Sequence, residues 1–148
     1  MKKLFRRLFP SKELREFRKM HRRHRRELVK LAKETYEFDY GWLHDSVIMQ
    51  IRHMYEYYSA GNNVWQTDET NTEIIESLKH VLDLQNELDH LFDAEIDGID
   101  ADHTKKGITT VHYTDKGLQT LQERYNRETE LYKEIYSYIG EHIQYWWD

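Results

Sequence analysis

The sequence has no cysteine, which excludes disulfides, thiolate metal sites and cysteine nucleophiles and suits a reducing compartment. Proline occurs once and glycine six times in 148 residues, too little turn punctuation for an all-β or low-complexity chain. No apolar run approaches the ~20 residues needed to cross a bilayer, and the basic opening MKKLFRRLFP lacks the apolar stretch of a signal peptide, so a cytoplasmic location is expected. Catalytic signatures are missing as well: there is no G-x-S-x-G elbow, P-loop, dinucleotide fingerprint or H-E-x-x-H pair. The expectation is a non-enzyme with no cofactor and no metal.

What is present is charge, unevenly spread. Residues 1–33 hold 14 of the 22 Lys and Arg against three acids, a balance of +11, whereas the other residues hold 8 against 24, a balance of −16. The acidic remainder could neutralise the basic segment, or that segment could serve nucleic acid, anionic lipid or a nucleotide phosphate. Aromatics are also abundant, with eleven Tyr and four Trp. That is more than a small helical core needs, so some are expected to face a partner or ligand.

Periodicity predicts four helices in one domain, residues 1–148. A short amphipathic tag at residues 1–9 ends at Pro10. Ser11 caps a helix to about Tyr36, with Leu14, Phe17, His21, His24, Leu28, Leu31 and Ala32 on one stripe and Arg and Lys opposite. A second helix, capped by Asp39, runs to about Ser59 with Leu43, Val47, Ile48, Ile51, Met54, Tyr55 and Tyr58 on its core arc. After a loop at 60–69 anchored by Trp65, the capping box Thr70-x-x-Glu73 opens a third helix to about Ile96. Residues 98–113 break the pattern with a β-branched run, GITTVHY, suited to a short strand or hairpin arm. The last helix starts near Thr114 and carries Leu118, Leu121, Tyr125, Tyr132, Ile135, Ile139, Ile143 and Trp146 to the C-terminus. The predicted fold class is all-α: an antiparallel four-helix bundle, or a variant of it with a small irregular or β insertion around 98–113. Leu82, Leu88, Ile51 and Ile139 are expected to be buried.

Three patterns invite a metal. Glu87-x-x-His90 has the helical spacing of di-iron bundles, but those need two copies and two further carboxylates. Asp93-x-Glu95-x-Asp97-Gly98 resembles the opening of a calcium loop, yet Thr104 stands where a bidentate Glu is needed. His21 and His24 could form half a zinc site with nothing in sequence to complete it. Two other sets are the candidate binding residues. Arg22, Arg23, Arg25 and Arg26 crowd four cations into five positions, which repel unless an acidic surface or a polyanion offsets them. On the second helix Trp42, Met49, His53 and Tyr57 line up away from the main arc, beside Asp45 and Arg52. Such a row meets the first helix, a second subunit or a ligand.

The stretch Tyr36-Glu-Phe-Asp-Tyr-Gly-Trp42-Leu43, the run Met54-Tyr-Glu-Tyr-Tyr58 and the ending His142-Ile-Gln-Tyr-Trp146-Trp147-Asp148 resemble a group of small bacteriophage-encoded helical proteins of unknown function, over about residues 36–148. The resemblance implies a phage origin and a life in the host cytoplasm, and brings no catalytic residue with it. The function expected is a phage accessory protein, a counter-defence factor that neutralises a host protein or a nucleotide immune signal by stoichiometric binding. The alternative is a nucleic-acid-associated structural or packaging protein using residues 12–33. A homo-oligomer is possible in either case.

Overall fold

The structure, a computed structural model, describes residues 12–34, 40–61, 67–103 and 109–146. In chain order they form helix α1 (Lys12–Glu34), helix α2 (Tyr40–Ser59), helix α3 (Asp68–His90), strands β1 (Ile99–His103) and β2 (Thr109–Tyr113), and helix α4 (Asp115–His142). The fold class is all-α, a helical-bundle variant with a small β insertion before the last helix, as the periodicity predicts. The amphipathic tag at 1–9, the caps Ser11 and Asp39, and Trp65 lie outside the described residues. The chain divides into two compact units, Met1–Leu78 and Lys79–Asp148, with the boundary inside α3.

In the first unit α1 and α2 run antiparallel: Phe17 meets Tyr57 near one end of the pair, and His24 meets His53 further along. Buried positions are His44, Ile48, Ile51 and His53 on α2 and Ile74, Ser77 and Leu78 on α3. Among the described residues of α1 none is fully buried; its stripe of Phe17, Met20, His24, Leu28 and Leu31 is half-buried, as is Glu27, and its other described side chains are exposed. Leu43, expected in the core, is 54% exposed, because it stands in the first turn of α2. The cap of α3 also differs from the expected box. The helix starts at Asp68, and it is the Thr67 hydroxyl that accepts from the Thr70 backbone N–H at 3.2 Å, so the cap comes three residues earlier than Thr70.

In the second unit α3 and α4 are antiparallel, linked by His80 against Tyr138 and by Glu87 to Arg127. Val81, Leu131, Ile135, Ile139 and Trp146 are buried, with the Gln85 amide donating to Asp89 at 2.7 Å. Ile51 and Ile139 are thus buried as expected, whereas Leu82 and Leu88 are only half-buried. Leu118 and Ile143 are exposed because they lie in the first turn and just past the last turn of α4, where the apolar stripe outruns its cover. Helix α3 stops at His90 instead of Ile96: the backbone tightens through Leu91 to Leu88 and Asp93 to His90 bonds, and Arg124 pins the exit by donating to the Ala94 carbonyl at 2.6 Å.

Strands β1 and β2 pair antiparallel from Ile99 opposite Tyr113 to His103 opposite Thr109. The base of this hairpin is fastened to α4. Thr114 is the N-cap, its hydroxyl accepting from Gly117 N–H at 3.1 Å while its own N–H donates to the Gly98 carbonyl at 2.8 Å. Gly98 has φ +85, and a Cβ on Gly117 would stand 2.6 Å from the Gly98 carbonyl oxygen. In an open helix Gly→Ala gains ~1 kcal/mol. Here Gly117→Ala is expected to cost ~1–3 kcal/mol instead, because the added methyl meets fixed backbone. Thermal denaturation reads the sign directly, and a raised melting temperature would mean that the junction is not this close.

Candidate functional site

The expected arginine set is divided by the structure. Arg22, Arg25 and Arg26 are exposed on the outer arc of α1, together with Arg15, Arg18, Lys19 and Lys33. Arg22 Nε donates to the Arg18 carbonyl, and no carboxylate among the described residues pairs with any of these seven. Arg23 instead turns into the seam with α2, where it pairs with Glu56 and stands 3.8 Å from Glu27. At 1.5 Å per residue, Arg15 to Lys33 spans ~27 Å, with a cation on every turn, Lys30 standing beside Val29. The outer arc is therefore a strip of positive charge whose seven named cations meet no carboxylate among the described residues.

What holds α1 in place is the inner seam. The imidazoles of His24 and His53 stack face to face, centroids 3.7 Å apart and planes within 4°. Each meets a carboxylate from the opposite helix: His53 Nε2 lies 2.8 Å from Glu27 and His24 Nε2 lies 2.8 Å from Glu56. Phe17 closes the far end against Tyr57, edge to face. With both rings neutral, each Nε2–H donates to its carboxylate and the cluster of Arg23, Glu27 and Glu56 carries one net negative charge. One added proton neutralises it; a second would place like charges on stacked rings.

Burial pushes the His53 imidazole below its ordinary 6.5, against the pull of its hydrogen bond to Glu27, and positive charge on His24 lowers it further. The hydrogen bond from His53 holds the Glu27 carboxyl below its ordinary 4.5, against a smaller opposing effect of burial. Both shifts destabilise the fold in acid, since the unfolded chain binds more protons in each window. The His53 contribution is complete above 6.5 and is lost as pH falls from there towards its lowered folded value. The Glu27 contribution is complete above 4.5 and is lost through its own lowered value. These two contributions should therefore lower the melting temperature between pH 7.5 and 5, while the raised His90 works the other way, and His53→Gln, which keeps a donor but does not titrate, should remove the first of them. An acid response that His53→Gln leaves unchanged would contradict the seam.

Two members of the aromatic row on α2 are drawn into the same seam. His53 is buried and Tyr57 is half-buried on Phe17, while Trp42 and Met49 are half-buried and Asp45 and Arg52 are exposed. The two helical metal patterns do not converge, and the calcium-like stretch from Asp93 runs on to Thr104, outside the described residues. Glu87 pairs with Arg127, whose hydrogen bond lowers its carboxyl, and His90 pairs with Asp93 at 2.5 Å, which raises the imidazole. His21 is exposed and touches Phe17 whereas His24 faces α2, and among the described residues no cluster of three or more His, Asp or Glu is arranged to hold a metal ion.

Sequence reasoning missed the His24–His53 stack. His53 is legible as part of a second face and His24 as part of a stripe, but only the register between α1 and α2 brings them together. No helix of the described residues is long and apolar enough to cross a membrane. Comparison with protein-family models, curated proteins and solved structures finds no match.

Proposed function

We propose that the protein is a non-catalytic binder of nucleic acid that uses the outer arc of α1 against phosphates. The observation that carries this reading is the strip itself: Arg15, Arg18, Lys19, Arg22, Arg25 and Arg26 stand exposed with no carboxylate partner among the described residues. Cations three and four residues apart on one helix repel, and the fold keeps them together although its acids outnumber its bases overall. A polyanion laid along the strip removes that repulsion and gains the entropy of released counterions. In the phage setting implied by the resemblance, this fits a structural or packaging role on the viral genome.

The counter-defence reading shares the non-catalytic premise but relies on an aromatic floor. With His53 and Tyr57 engaged by α1, that floor is reduced to Trp42 and Met49, and the geometry favours the cationic strip. Fluorescence anisotropy of a labelled oligonucleotide, titrated with the full chain at ~50 mM salt where phosphate contacts count most, is the test. Saturable binding at micromolar protein or tighter is expected; no change in anisotropy across that range would end the reading.

A further inference from the structure

A groove of about 660 Å³ opens beside the strip, at the end of the α1–α2 pair where α2 turns out through Ala60 and Gly61. Its apolar wall is Phe17, Met20 and Tyr55, and Lys19 and Arg23 stand on its α1 side. The size lies within the range of small-molecule sites, and it is continuous with the strip because Lys19 belongs to both. Arg22 and Lys19 also border a second, smaller hollow with Arg23 and Arg26, so cations line the approach as well as the mouth.

We infer that this groove receives an unstacked base, and that the ligand of the strip is single-stranded nucleic acid. The inference rests on the polyanion reading above and deepens it. A base in a duplex is held in its stack and cannot enter, so a duplex would use only the cations and leave Phe17, Met20 and Tyr55 uncovered. A single strand does both: its phosphates follow the row from Lys19 through Arg22 and Arg26, and one base leaves the strand to lie on the aromatic and thioether wall. Arg plus aromatic surface is the combination that single-strand binders use, since every base offers a π-face. The Glu16 carboxylate that also lines the groove is an acceptor for exocyclic amines, and together with Glu56, already engaged by Arg23 and His24, it repels phosphate, which places the base inside and the backbone outside.

The experiment compares a labelled 20-nucleotide strand with its own duplex at one salt concentration, using the full chain. Tighter binding of the strand by about 5- to 150-fold is expected, the range that one stacked base supplies. Phe17→Ala should erase most of that difference and leave duplex binding unchanged. Because Phe17 also packs on Tyr57, photo-crosslinking of a bromouracil-substituted strand to the unaltered protein provides a second readout, with adducts expected at Phe17, Met20 or Tyr55. Equal affinity for strand and duplex, or adducts confined to other segments, overturns the groove and leaves the strip standing. Failure of both nucleic acids to bind overturns the polyanion reading and the groove with it, and capture by anionic vesicles in their place would assign the strip to a membrane surface.

Discussion

Truncating Ile135 to alanine is expected to lower unfolding free energy by ~2–5 kcal/mol and the melting temperature by roughly 5–20 °C. Ile135 has no exposed surface and sits on α4 with the equally buried Leu131 one turn earlier and the nearly buried Ile139 one turn later. Removing its branched end leaves a void that rigid helix backbones close only in part, so the loss is the transfer energy of the missing carbons plus the cavity. The control is Leu118→Ala on the same helix. Leu118 is 48% exposed in the first turn, and its truncation should cost less than ~1 kcal/mol because little apolar area returns to water. Urea denaturation, read as a change in midpoint at constant slope, separates the two. Equal losses at the two positions would show that burial along α4 is misassigned.

The second large effect concerns binding. Replacing Arg15, Arg18, Arg22 and Arg26 together by glutamine should weaken oligonucleotide binding on the order of 100-fold at ~0.1 M salt, since a phosphate that meets no cation keeps its condensed counterions and releases none on binding. The same variant should melt at an unchanged or slightly higher temperature. These side chains hold no carboxylate among the described residues, so glutamine removes repulsion without breaking an ion pair. Arg23 is left in place because it belongs to the seam with Glu56 and Glu27. A marked fall in melting temperature with binding intact would mean that the strip serves the fold.

Helix count, the β insertion and the start of α4 near Thr114 are legible in the sequence, because apolar spacing and a β-branched run are local signals, whereas the Thr114 cap itself emerges only in the structure. The cap of α3 is misplaced by three residues for a local reason too: Thr67 and Thr70 are both competent caps, and the Thr70-x-x-Glu73 spacing favours the wrong one. Strand β1 is invisible in sequence since IDADH carries too few β-branched residues, and it is recruited by its partner β2. The strip on α1 can be read as an arc of cations, but whether acids cover it cannot, since that depends on which carboxylates the fold brings near. The seam is beyond reach for the same reason. His24 and Glu27 lie one turn apart on α1, His53 and Glu56 one turn apart on α2, and only the antiparallel register turns two ordinary spacings into a crossed pair.

An unneutralised phosphate site along α1 is the premise of the proposed function, and the salt dependence of single-strand binding measures it directly. Plotted as log affinity against log salt, the intact protein should give a straight line that falls about 50-fold between 50 and 200 mM, as ~4 phosphate contacts require, and the four-glutamine variant, which keeps Lys19 and Arg25, a clearly shallower one. A flat line for the intact protein, or an equal slope for both, would contradict that premise.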